Sequence, residues 1–97
     1  MILLNPKEIE KFLKKNNVAQ LDLLNWKEDI ETAQWNDLDD IRRSGLEIRE
    51  IEKSDSFCRI VFKLQNRYRV DVEIYWIDAS VRIFRIGTHE TYNKWRW

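Results

Sequence analysis

The chain is poor in the residues that would tie it to a covalent or metal scaffold. Cys58 is its only cysteine, so no internal disulfide can form. Cys58 also falls within a predicted strand, where a thiol is buried and inert. His89 is the only histidine, and neither a His/Cys cluster nor a carboxylate cage is evident, so no metal or cofactor is expected. No apolar run approaches the ~20 residues that span a bilayer. Met1 to Leu4 is apolar but too short for the core of a signal peptide, and no small-residue cleavage site follows it. The expectation is a soluble cytoplasmic protein with no membrane partner. Internal repeats and low-complexity segments are absent too. The 97 residues suffice for one domain, 1–97, and not for two.

Net charge is also missing, since seventeen basic residues balance seventeen acidic ones. The balance hides a division along the chain. Residues 1–56 carry nine Lys/Arg against thirteen Asp/Glu, whereas residues 57–97 carry eight against four. An acidic half followed by a basic half suggests one face for an anion and another for a different partner. Ordinary helix solubility charges followed by strand-flanking arginines would give the same count.

What is present follows two periods. Met1–Leu4 reads as an edge strand closed by Asn5. Asn5, Pro6 and Glu8 form a helix start, with Asn5 accepting from the first free amides. Ile9, Phe12 and Leu13 then follow at helical spacing until Asn16 and Asn17. A second helix is predicted from about Ala19 to Ala33, with Leu21, Leu24 and Ile30 near one stripe and Leu23 and Trp26 widening it. A short helical turn over Asp37–Arg43, which Asn36 or Asp37 can cap, ends at Ser44 and Gly45.

From Leu46 the period shortens towards two. Leu46, Ile48 and Ile51 alternate imperfectly with charged residues. Phe57 to Leu64 puts Cys58, Ile60, Phe62 and Leu64 on one face, with Arg59 and Lys63 on the other. Gln65 and Asn66 suit a tight hairpin, although the glycine usual in two-residue turns is lacking. Arg67 to Trp76 places Tyr68, Val70, Val72, Ile74 and Trp76 on one face, with Arg67, Arg69, Asp71, Glu73 and Tyr75 on the other. Ser80 to Gly87 sets Val81, Ile83 and Arg85 against Arg82, Phe84 and Ile86, so both faces carry apolar residues. The expected architecture is α+β: two N-terminal helices packed on one face of a twisted antiparallel sheet. The other face would expose Arg59, Lys63, Arg67 and Arg69 as an open basic surface.

Beyond Gly87, His89 and Tyr92 lie three apart, one helical turn from side by side. Both can move protons, and Arg69 and Arg85 on nearby strands could grip a phosphate bidentately. These parts suit RNA cleavage by the RNA's own 2′-hydroxyl. They would supply a base for that hydroxyl, a donor for the leaving oxygen and guanidinium charge for the pentavalent transition state. The same residues also fit a plainer reading, with His89 as a cap or surface group and the arginines and aromatics as cross-strand packing.

The stretches Arg59–Phe62, Asn66–Arg69 and Ile83–His89, followed by Tyr92, resemble the HigB-type toxins of the RelE superfamily. The family reads there as a VVF-type strand, a GN(K/R)YR hairpin, an IRF(V/I)GTH strand end and a tyrosine three residues on. A weaker likeness covers Trp26 to Trp35 and Asp39 to Ile41. The resemblance implies a ribosome-associated mRNA endonuclease of a type II toxin–antitoxin system, acting in the ribosomal A site and neutralised by a HigA-type helix-turn-helix antitoxin. It implies catalytic roles for Arg69, Arg85, His89 and Tyr92, with Arg69 and Arg85 as phosphate clamps. RNA contacts would come from Arg59, Lys63, Arg67 and Lys94. The chain departs from the pattern at Gln65 in place of the hairpin glycine, at Glu90 and Thr91, at Asn93, and in its Trp95–Arg96–Trp97 ending. Alternatives are a non-catalytic RelE-like module that binds RNA or protein, and a structural domain whose acidic helices bind a protein.

Overall fold

The strand from Tyr68 to Tyr75 is apolar on one face and carries Arg69 and Asp71 on the other, and both faces of it are covered. The computed structural model describes residues 1–97 and builds five strands around this one. In chain order the elements are β1 (Ile2–Leu4), α1 (Lys7–Leu13), a 3-10 turn (Asn17–Ala19), α2 (Gln20–Thr32), α3 (Leu38–Arg43), β2 (Ile48–Lys53), β3 (Phe57–Leu64), β4 (Tyr68–Tyr75), β5 (Ser80–Thr88) and α4 (His89–Tyr92). The sheet order is β1-β5-β4-β3-β2. The architecture is α+β, as expected from the two periods of the sequence.

Strands β2 to β5 run antiparallel to their neighbours. The edge strand β1 does not, since it joins β5 in parallel with Ile2 opposite Ser80 and Leu4 opposite Arg82. A three-residue strand carries no pattern that specifies its partner. Here it covers the one free edge of β5, whose other edge is taken by β4.

The core lies between the helices and the even-numbered face of β3 and β4. Ile9, Leu23, Trp26, Ile30 and Ile41 meet Cys58, Ile60, Phe62, Val70, Val72, Ile74, Val81 and Ile83. Trp26 packs edge-on against Phe62, and Trp35 stacks on the same ring. Burial pushes the Cys58 thiol up to about 11, so it is neither charged nor nucleophilic near neutral pH. In α2 the buried stripe is Leu23, Trp26 and Ile30, continued by Ala19 of the preceding turn, while Leu21 and Leu24 are 70% and 45% exposed. The five apolar positions of this helix allow two stripes, and the sheet takes the one that contains Trp26. Asn5 does not cap α1 as expected. Its backbone is left-handed and its Nδ2 donates to the Ile83 carbonyl, tying the start of the helix to β5. Asp37 does cap α3, accepting from the Asp40 amide at 2.9 Å.

A bulge in β5 decides where the site forms. Val72 faces Ile83 and Asp71 faces Arg85, so Phe84 is an extra residue with no partner. Strict alternation would put Arg85 beside Val81 and Ile83 on the helix side. The bulge reverses the faces after Ile83, so that Ile86 turns inward opposite Val70 and Arg85 comes out opposite Asp71.

The β3–β4 hairpin closes through Gln65 and Asn66, both left-handed, at φ 59° and 67°. These angles define a type I′ turn, closed by the Arg67 amide donating to the Leu64 carbonyl. Asn tolerates this conformation, whereas for Gln65 it costs roughly 1–2 kcal/mol. Gln65→Gly should therefore stabilise the chain by a net of about 0.5–1 kcal/mol after glycine's larger loss of chain entropy, read as a raised melting midpoint. The two α2 stripes are separated by alanine substitution. Ile30→Ala should cost about 2–5 kcal/mol and lower the midpoint by about ten degrees or more. Leu21→Ala should change stability by under ~0.5 kcal/mol, and equal losses in both variants would show the stripe to be wrongly placed.

Candidate functional site

The face of the sheet away from α1 and α2 is not open at its centre. After β5 the chain turns through α4, whose start is capped by Thr88 accepting from the Thr91 amide at 3.2 Å. The His89 amide donates to the Arg67 carbonyl, which pins α4 to the hairpin end of β4. Trp95 then lies against Gly87, close enough that a Cβ there would sit 2.7 Å from the indole. Gly87 is needed for this close approach and not for its φ. Beneath this second layer Arg69 is 4% exposed and Asp71 is 0% exposed, so the expected basic surface is covered at β4.

Asp71 anchors two of the arginines. Arg59 on β3 donates to it through Nε and Nη2, at 3.1 and 2.8 Å. Arg85 on β5 donates through Nε at 2.8 Å. This shared carboxylate holds the Arg59 guanidinium above its ordinary pKa range. The faces of the two guanidiniums meet aromatic rings. Arg85 lies 4.3 Å from the centre of Trp95 and 5.0 Å from Trp97, while Arg59 lies 4.4 Å from Phe84 and 5.4 Å from Trp97.

A second set lies at the α4 end. Arg69 Nη2 meets His89 Nδ1 at 3.1 Å, and its Nη1 donates to the Tyr68 carbonyl. Guanidinium can only donate, so Nδ1 accepts and the proton of the neutral ring sits on Nε2. The same guanidinium lies 5.4 Å from the centre of the Tyr92 ring. Arg49 on β2 donates to the Tyr92 hydroxyl at 2.6 Å. His89 is exposed and Tyr92 half-buried.

Arg69, His89 and Tyr92 are thus in direct contact. Arg85 joins them through Trp95, which packs edge-on against Tyr92. Arg59 shares Asp71 with Arg85. Lys63 sits opposite Arg69 in register, Arg67 lies in the exposed hairpin, and Lys94 follows α4 on the surface. Four cavities on the surface are lined by other residues and not by Arg69, Arg85, His89 or Tyr92. Arg69 offers no free surface for a phosphate and instead orients His89 and Tyr92, whereas Arg59 and Arg85 keep 22% and 28% of their side chains exposed. Sequence reasoning overlooked Arg49, Asp71, Trp95 and Trp97. The signal for Arg49 was available, because a residue next to core-facing Ile48 must point to the other face. Asp71 was placed on the correct face without a role.

Two comparisons bear on this arrangement. Residues 19–95 match the family model HigB_toxin, the RelE-like toxic component of a toxin–antitoxin system. The chain belongs to that family. A chain from the crystal structure of the archaeal RelE–RelB complex of Pyrococcus horikoshii OT3 has the same fold, with a TM-score of 0.66 at 12% identity, covering 91% of this chain and 92% of that one. A search of curated protein sequences gives no match. The protein is thus a RelE-like toxin of a toxin–antitoxin system, and no helix of it is long and apolar enough to cross a membrane.

Asp71→Asn tests the anchor in this toxin. Losing the charge leaves two partly buried guanidiniums without their counterion, and should cost towards the low end of ~3–5 kcal/mol, measured by denaturant unfolding. A loss no larger than that of an exposed Glu90→Gln control would remove Asp71 from this role.

Proposed function

We propose that this toxin is an endoribonuclease, an mRNA interferase that cuts mRNA in the ribosomal A site without a metal. The reaction is attack of a 2′-hydroxyl on the adjacent phosphorus. The O2′–P bond forms and the P–O5′ bond breaks, leaving a 2′,3′-cyclic phosphate and a 5′-hydroxyl. The observation that carries the reading is the contact run from Arg69 to His89 and Tyr92 and on to Arg49. It brings an imidazole and a phenol, each held by a guanidinium, to one exposed corner of the sheet.

In this reading Nδ1 of His89 is taken by Arg69, so its Nε2–H donates a hydrogen bond that stabilises the leaving 5′-oxygen. Tyr92 takes the 2′-hydroxyl proton at the oxygen bonded to Arg49 while it passes its own hydroxyl proton to the leaving 5′-oxygen. Arg85 and Arg59, aligned by Asp71, face the developing phosphorane charge with their free edges. Lys63, Arg67 and Lys94 contact flanking RNA, and this binding weakens as salt rises. The toxin acts in the cytoplasm, and a HigA-type helix-turn-helix antitoxin neutralises it.

Induced expression in bacteria tests the proposal. The native chain should arrest growth with codon-periodic mRNA cuts. His89→Ala combined with Arg85→Ala should abolish both, while remaining folded by circular dichroism. In a reconstituted ribosome assay His89→Ala alone should slow cleavage by roughly 10²–10⁴-fold, and a 2′-deoxy nucleotide at the cut site should block it. Unchanged arrest by the double variant, or cleavage of the 2′-deoxy substrate, would refute the mechanism.

A further inference from the structure

Trp97 and Phe84 are the large aromatics of this face that remain about half open to water, at 47% and 49% exposure, and Trp97 is the one that three guanidiniums surround. Three guanidiniums pack on its ring, those of Arg85 at 5.0 Å, Arg59 at 5.4 Å and Arg49 at 5.6 Å. Trp95 and Tyr92 meet it edge-on, with ring centres at 6.2 and 6.5 Å. An indole of this size is ordinarily buried, or shielded where a partner lies against it. Here its own chain supports it on one set of contacts and leaves the remainder free. Two of the supporting arginines, Arg59 and Arg85, are fixed by Asp71, and Arg49 is fixed by Tyr92. The ring is therefore held among cations that do not need it as their hydrogen-bonding partner.

A π-face beside fixed guanidiniums is what a single-stranded nucleic acid requires, the cations for its phosphates and the ring for one base. We infer that Trp97 is a base-binding residue: one nucleobase of the RNA, next to the phosphate held by Arg59 and Arg85, stacks on its exposed indole. The inference rests on the ribonuclease reading above and adds a contact which that reading does not require. Stacking is tolerant of base identity, so Trp97 selects for the presence of a base and not for a particular sequence.

The test uses the full chain and two single-stranded oligomers of equal length. One is a 2′-O-methyl oligoribonucleotide, which cannot react; the other is the same backbone with every base removed. The native protein should bind the base-bearing oligomer more tightly. Trp97→Ala should weaken that oligomer by roughly 5- to 150-fold and leave the abasic one unchanged. Trp97→Tyr, which keeps a π-face, should restore most of the preference. If Trp97 merely braces the arginines, the alanine variant weakens both oligomers equally, which overturns the inference. If Trp97 covers the site, both bind more tightly to that variant, which overturns it as well. If the native protein binds neither oligomer, the RNA reading and this inference fail together. Native binding without a base preference defeats only this inference.

Discussion

A carboxylate with no access to water must be met by cations, and Asp71 is met by two. Its oxygens fix Arg59 from β3 and Arg85 from β5, so a single anion on the central strand sets the direction of guanidiniums on both neighbours. Without it the long side chains would sample many rotamers, and two positive groups at this distance would repel each other. With it, the inner edge of each arginine is taken; Arg85 also gives Nη2 to the Arg96 carbonyl at 3.4 Å, and each guanidinium keeps its Nη1 without a protein partner. The arrangement resists change because removing one member of a partly buried set leaves the others without compensation. The aromatic layer depends on it in turn, since Trp95, Trp97 and Phe84 all pack on guanidiniums that Asp71 has already aligned.

Two local departures from regular structure make this set possible. The bulge at Phe84 moves Arg85 from the helix side of the sheet to the side of Asp71, and glycine at position 87 lets Trp95 approach the backbone of β5. They lie three residues apart on one strand. The first determines which charges the face presents, and the second determines how closely the chain can fold back over them. A regular β5 with a side chain at position 87 would turn Arg85 towards the core and Ile86 out of it, and lose the site.

Much of the core could be read from the sequence because it depends on alternation over a long strand. Tyr68, Val70, Val72 and Ile74 had only one face to choose, and the register of β3 against β4 followed from a two-residue turn. Asp37 capped its helix as its position implied. The errors share a cause: they fall where the local pattern admits two solutions and a distant contact chooses. Leu21 and Leu24 are spaced as well for a helix face as Leu23 and Trp26, and only the sheet discriminates between them. Strand β1 is too short to name a partner. Asn5 could cap a helix or reach β5, and it reaches β5. The bulge is the clearest case, because one extra residue reverses every face beyond it and leaves no mark in the composition. Of the site, the histidine, the tyrosine and the arginines were legible as reactive types. Their anchor and their aromatic cover were not, because Asp71 and Trp97 acquire a role only once three strands are side by side.

The zero net charge of the chain is compatible with an anion site, because at this range the field is set by what lies within about one Debye length, near 8–10 Å in physiological salt. The cluster holds four guanidiniums, of which Arg59 and Arg85 bind Asp71, Arg49 binds Tyr92 and Arg69 binds His89; besides Asp71, only Glu52 and Glu73 act on Arg59 from nearby. Acids of the opposite half, such as Asp39 and Glu50, are engaged elsewhere with Arg42. That pairing raises the Arg42 pKa and lowers that of Glu50, so these charges are largely spent on each other. The positive excess at the site therefore persists. Arg69 shows how it is put to use: sealed from water, with no carboxylate to pair, it passes its hydrogen bond to an exposed imidazole and its face to a phenol. A buried cation whose Nε has no partner, and whose Nη groups reach only the Tyr68 carbonyl and an imidazole, is a poor device for stability alone, since an apolar side chain would pack there without the desolvation cost. Its position makes sense as a means of orienting His89 and Tyr92 from behind.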